Sequence, residues 1–271
     1  MKTFKLLFAL VLVSCLTSCS ITEKMIVNDN GSGKFSYEID GTKMMSMMGS
    51  AFKEEGKSSK RKNKKEKPSK DIDSTFTFKE LFAGKQDSIA KLSPEEQAKI
   101  KKMEKFSIHM VMNEEKGILN YNLFTDFNSI AELQDVMSPM ESMKTLSPNG
   151  QAGGLGMAPN TLQDNSSTKF YYDGKKFSKT LSKSEKKEET EKKEISKESE
   201  EMSEDLKLKQ SLEMFYAQSS FKVVYQFPKP VKKVSVENAL YSQDRKTVTI
   251  EYPLKDYMET PEKASFEVEF E

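Results

Sequence analysis

The chain has 271 residues, with 43 Lys and Arg against 42 Asp and Glu, and a formal charge of only +1. Its two cysteines, Cys15 and Cys19, lie near the start, and it holds a single histidine, His109. Beyond residue 19 no thiol remains for a disulfide, a nucleophile or a metal site, and a chain of this length can bury a core without such cross-links.

The first residues have three parts. Lys2 and Lys5 are followed by an unbroken apolar run from Leu6 to Val13, and then by Leu16-Thr17-Ser18-Cys19. A run this short fits a secretory signal and falls well below the ~20 residues needed to cross a bilayer. No later segment is apolar for long enough to span. The Leu-Thr-Ser-Cys tetrad resembles the lipobox of bacterial lipoproteins. That resemblance implies cleavage between Ser18 and Cys19 and lipid on Cys19. It also implies one anchored domain over residues 19–271 in the cell envelope, on the outer membrane. Leu12-Val13-Ser14-Cys15 is also lipobox-like but would leave a shorter apolar run, so Cys19 is preferred.

Further along, apolar residues alternate with polar ones, the mark of half-buried strands. Residues 21–27 and 34–40 flank the turn-forming Asn28-Asp29-Asn30-Gly31-Ser32-Gly33 and predict a hairpin. A second hairpin is expected where Glu114-Glu115-Lys116-Gly117 separates residues 106–113 from 119–123, and a third about Asp173-Gly174. Strands are also expected at 221–227, 247–252 and 266–270. Ser93-Pro94-Glu95-Glu96 combines a serine N-cap, proline at the first helical position and glutamate at the third, predicting a helix to about Glu104. Apolar residues three to four apart predict an amphipathic helix over 129–146, and shorter helices over 42–52 and 202–217. The fold class that follows is α+β: a curved antiparallel sheet, wet on one face, with a few amphipathic helices.

Two segments are too charged to join a core, residues 53–70 and 183–205, and read as insertions in a single domain. Residues 57–70 hold eight Lys or Arg against one Glu. Lys57, Lys60, Arg61, Lys62, Lys64, Lys65 and Lys67 form either a solvated loop or a contact for anionic lipid or lipopolysaccharide. No aromatic residue interleaves them, and the signal argues against nucleic acid as a partner. Residues 185–205 carry ten acidic and five basic side chains, so the two insertions could also pair loosely, subject to screening by salt.

The methionines Met44, Met45, Met47 and Met48, and Met137, Met140 and Met143, fit an apolar helix face or a pliable groove for a lipid tail or a partner helix better than a Cu(I) site. His109 falls on a strand with no nucleophile or metal spacing around it and reads as a rim histidine. The Gly153-Gly154-Leu155-Gly156 run follows no strand and opens no helix, so it is no phosphate loop. No cofactor or metal is implied.

The Asn30–Asp40 stretch resembles the opening hairpin of secreted Bacteroidetes lipoproteins. Phe227-Pro228-Lys229-Pro230-Val231, Lys246-Thr247-Val248-Thr249 and Tyr252-Pro253-Leu254 resemble LppM-like lipoproteins. The resemblance covers the two ends of the chain and not its middle. It implies a curved-sheet α+β domain related to lipid-carrier folds, in a family of mostly unknown activity. In such a secretome Asp73-Ser74-Thr75 and Asp87-Ser88-Ile89 resemble O-glycosylation motifs. The function expected is non-enzymatic: an envelope lipoprotein that binds a hydrophobic ligand or a protein partner, or has a structural role. The competing class is a carboxylate-dependent hydrolase of the envelope. A close acid pair in a cleft would favour the hydrolase, and an apolar pocket between sheet and helices the binder.

Overall fold

The computed structural model describes residues 20–42, 71–113, 115–134, 166–183, 210 and 213–271. The three expected hairpins are present. β1 (Ser20–Val27) pairs antiparallel with β2 (Gly33–Asp40), Ile21 opposite Ile39. β4 (Ser107–Asn113) pairs with β5 (Ile118–Phe127), and β6 (Ser166–Tyr172) with β7 (Lys176–Lys183). Gly31, Gly117 and Gly174 stand in these turns at φ 78°, 63° and 82°, where a side chain would be strained. β8 (Ser220–Gln226), β11 (Thr247–Pro253) and β12 (Phe266–Phe270) also form where alternation places them. β3 (Asp71–Thr77), β9 (Val231–Val234) and β10 (Leu240–Tyr241) complete the set.

The strands build two sheets. Eight run in the order β10-β11-β8-β1-β2-β5-β4-β3, and four in the order β6-β7-β12-β9. Every pairing is antiparallel except that of β1 with β8, which run parallel with Ser20 beside Ser220. The α+β class therefore stands, with the core held between two sheets. Residues of one phase face inward: Ile21 and Met25, Phe35 and Tyr37, Phe221 and Tyr225. They meet Phe170, Phe177 and Phe266 from the smaller sheet, with ring centroids 5.4 Å apart for Phe177–Tyr225 and 5.8 Å for Tyr225–Phe266.

Short helices add to the same core. α1 (Phe78–Phe82) and α3 (Pro94–Met103) each begin on a capping box, Thr77 with Glu80 and Ser93 with Glu96, each worth about 1 kcal/mol. α2 (Gln86–Ile89) lies between them, and α4 (Leu254–Glu259) follows β11. Residues 213–218 are helical, overlapping the end of the expected 202–217 span, and bury Phe215.

The helix expected over 129–146 does not form as one piece. Ile130–Leu133 make a single 3-10 turn with both end residues buried, and Gln134 then turns extended at φ −61°, ψ 130°. Tertiary bonding overrides the helical spacing there: the Gln134 amide accepts from Phe170 N at 3.2 Å and donates to Phe170 O at 2.6 Å. Residues 135–165 lie outside the described residues, as do 43–70 and 184–209.

Candidate functional site

Two polar constellations stand out, one on each face of the eight-stranded sheet. The first lies inside. Glu23 shares its strand phase with Ile21 and Met25, so β1 carries it between the sheets, where it is 0% exposed; Lys179 on β7 reaches it from the other sheet and is 1% exposed. The Lys179 ammonium contacts both Glu23 oxygens at 2.8 Å. The Tyr37 hydroxyl donates to Oε2 at 2.5 Å, and the Tyr225 hydroxyl donates to Oε1. Lys179 also lies over the Phe221 and Tyr257 rings, at 5.3 and 5.8 Å, and those rings stack 3.7 Å apart.

Burial first, and the Glu23 charge second, push both the Tyr37 and Tyr225 phenols well above their usual range. The same two causes, in that order, raise Tyr252 to about 12. With its carboxylate saturated by donors and sealed from solvent, this cluster joins the two sheets and offers no reacting atom to a substrate.

The second constellation lies on the outer, wet face. Cross-strand register sets Thr75, His109, Asn122, Glu38 and Thr22 in one row across β3, β4, β5, β2 and β1. The next row brings Phe124, Ser36, Lys24 and Val224 together. A trough of about 450 Å³ runs over these rows, and a smaller hollow of about 240 Å³ meets it at Glu38, His109 and Asn122.

Lys24 holds Glu38 through both oxygens at 2.7 and 2.6 Å near the middle of the trough. The Lys34 ammonium stands 5.1 Å from the centroid of the Phe124 ring. His109 Nε2 lies 3.0 Å from Asp73 Oδ1, and His109 lines both hollows from β4, the strand next to the edge strand β3. The Asn122 side-chain oxygen is shielded and has no hydrogen-bond partner among the described residues, which costs about 1–3 kcal/mol. Asp40, in the smaller hollow, accepts from the Thr42 amide at 2.9 Å.

The sites expected from sequence are not among these residues. Ser18 and Cys19, the basic residues from Lys57 to Lys67, and the methionines at 44, 45, 47, 48, 137, 140 and 143 all lie outside the described residues. Ser74 and Ser88, within the Asp-Ser motifs, are exposed on β3 and α2. The basic residues belong to the stretch between β2, which ends at Asp40, and β3, which begins at Asp71. Both of these strand ends lie at the end of the sheet where β1 begins, since Ile21 pairs with Ile39, Asp40 with Asn120, and Asp71 with Asn113. Among the described residues no cluster of three or more His, Cys, Asp or Glu could hold a metal ion, and no helix is long and apolar enough to cross a membrane.

No known protein family matches this chain, and no curated protein matches it. Among solved structures, the folded domain of Mycobacterium tuberculosis LppM, determined by NMR, aligns over 93% of this chain and 89% of its own, with a TM-score of 0.35 and 7% identity.

Proposed function

We propose that this chain is a lipid-anchored protein of the bacterial cell envelope, held by Cys19, with a binding role and no catalytic one. The observation that carries the reading is the position of β1. β1 begins at Ser20, the residue after Cys19, and is an inner strand of the larger sheet. A lipid on Cys19 would leave no tether, so the domain would rest against the headgroups. The strand ends that flank the basic stretch open at that same end, and basic residues that come within a Debye length of an anionic surface, roughly 8 Å at physiological salt, are attracted to it. There each Lys or Arg contributes about 1 kcal/mol of attraction. A binding role is supported by the state of the acidic groups: Glu23 is sealed in the core, Glu38 is held by Lys24, and Asp40 accepts a backbone amide.

The anchor is tested by cell fractionation and fatty-acid labelling. Cys19→Ala moves the protein out of the membrane fraction and abolishes the label, whereas Cys15→Ala changes neither. Label that survives Cys19→Ala overturns the assignment. The orientation is tested with chain lacking Cys19, mixed with phosphatidylglycerol or phosphatidylcholine liposomes. Binding is selective for the anionic liposomes, weakens at high salt, and disappears when Lys60, Arg61, Lys62, Lys64 and Lys65 become Gln. Equal binding to both liposomes, or binding to neither, makes the segment a solvated loop.

A further inference from the structure

The outer trough has one unmatched charge and a largely apolar lining, and together these define an occupant. We infer that the trough binds a single-chain carboxylate amphiphile, a free fatty acid of medium length. Its carboxylate meets Lys34 and its chain lies over Ile26 toward Val224. This deepens the binding role proposed above and rests on it, while the lipid on Cys19 plays no part.

Charge is the first argument. Lys34 is exposed on β2, with its ammonium 5.1 Å from the centroid of the Phe124 ring. Among the described residues it has no ion-pair partner, although Asp126 lies opposite it in register on β5. The other charges of the lining are matched, Lys24 by Glu38 and His109 by Asp73. One cation is therefore left over beside an aromatic ring. It favours an occupant with one negative charge next to an apolar part.

The lining is the second argument, since most of its exposed surface is apolar. Ile26 is 44% exposed on the outward phase of β1, where a wet face calls for a polar side chain, and Val224 holds the same phase on β8. Register puts Ile26 beside Lys34, Val224 beside Lys24, and the small Ser36 between Lys24 and Phe124. Ser36 leaves room in the floor that a larger side chain would fill. The Lys24 ammonium is drawn to Glu38, so what Lys24 offers this part of the trough is its methylene stem. A chain on the Ile26 side of that ion pair covers apolar surface and leaves the pair its water, so it avoids the cost of stripping a charge.

Size is the third. From β5 through β2 and β1 to β8 there are three inter-strand steps, a path of roughly 14 Å at about 4.8 Å each. That is the reach of a medium acyl chain. The volume of about 450 Å³ falls in the ordinary range for small-ligand sites, and suits one chain better than the paired chains of a phospholipid.

The test uses residues 19–271 with Cys19→Ser, which carry no lipid, so its outcome is independent of the anchor. Backbone amide resonances are followed by NMR at neutral pH during titration with sodium dodecanoate, sodium butyrate, dodecyl maltoside and dodecyltrimethylammonium, each below its micelle concentration. Dodecanoate shifts Lys34, Ser36 and Val224 saturably. Butyrate has the charge without the chain, and the other two have the chain without the negative charge; each binds about tenfold more weakly or worse. Lys34→Gln brings dodecanoate down to the affinity of the maltoside, and Ser36→Leu weakens both dodecyl compounds. Both variants melt within a few degrees of the parent. Equal affinity for dodecanoate and dodecyl maltoside overturns the inference. So does the absence of saturable shifts at these residues, or dodecanoate binding unchanged by Lys34→Gln. None of these results alters the fractionation and labelling outcomes at Cys19, so the two readings fail separately.

Discussion

Glu23 and Lys179 tie the two sheets together by charge, and the energetics of such a pair are asymmetric. Against a well-packed apolar pair, a buried ion pair contributes little net stability, but removing one partner strands the other charge at a cost of about 3–5 kcal/mol. Glu23→Leu alone should therefore lower the melting temperature by about 10 °C or more in a domain of this size. Glu23→Leu combined with Lys179→Met should recover most of that loss. A double variant as unstable as the single one would show that packing around the tyrosines, and not charge, dominates.

The tyrosines add a pH dependence with a definite sign. The folded Tyr37, Tyr225 and Tyr252 phenols keep their protons to higher pH than in the unfolded chain, where they ionise near 10.0. The unfolded state thus binds fewer protons above that pH, and stability falls as pH rises through the folded values. Urea titrations at pH 9 and 11 should show this loss, and Tyr37→Phe should reduce its slope; an unchanged slope would remove Tyr37 from the effect. The pair was partly legible in the sequence. Glu23 interrupts the apolar phase of Ile21 and Met25, and Lys179 that of Phe177 and Leu181, so each strand carries one charge where an apolar residue is expected. What the pattern could not supply was that two residues 156 positions apart face each other.

At the scale of elements, the sequence spoke most clearly where signals are local. The hairpins about Gly31, Gly117 and Gly174 and the Ser93–Glu96 cap each depend on residues a few positions apart, and all are present. The helix expected from Ser129 is broken at Gln134 because the decisive contact there, Gln134 with Phe170, is 36 residues distant. β3 went unseen because Asp71, Asp73, Ser74 and Thr75 are exposed at the sheet edge and give no apolar alternation. The trough was illegible for a related reason: polar residues on a wet face look alike until register sets His109 beside Asn122 and Asn122 beside Glu38.

The insertion between β2 and β3 can be judged by reach. These strands are three places apart in the sheet, so the connection must span about 14 Å. Deleting residues 53–70 leaves 41–52, which cover about 40 Å when extended. The deletion should lower the melting temperature by less than about 4 °C, equivalent to ~1 kcal/mol. A larger fall, with the strands intact by circular dichroism, would mean that the segment packs on the domain.

Among the described residues, the starts of β1, β3 and β8 and the end of β2 gather at one end of the larger sheet, while the trough crosses that sheet at right angles to its strands. If the chain is anchored at Cys19 as proposed, the trough lies on a flank of the domain and not at its membrane-facing end. The parallel pairing of β1 with β8 carries a different consequence, one of timing. A chain exported from its N-terminus would present β1 first, yet one edge of that strand finds its partner only at Ser220, 200 residues later. The β1–β2 hairpin can close early, but the β1 edge and the charge of Glu23 must wait until Lys179 and Tyr225 have emerged. Contacts of such long range close slowly, and an open strand edge invites pairing with neighbouring chains. If the lipid is added at Cys19 during this interval, the half-exported chain is already confined to a membrane surface, and periplasmic chaperones that shield strand edges become the natural guardians of its assembly.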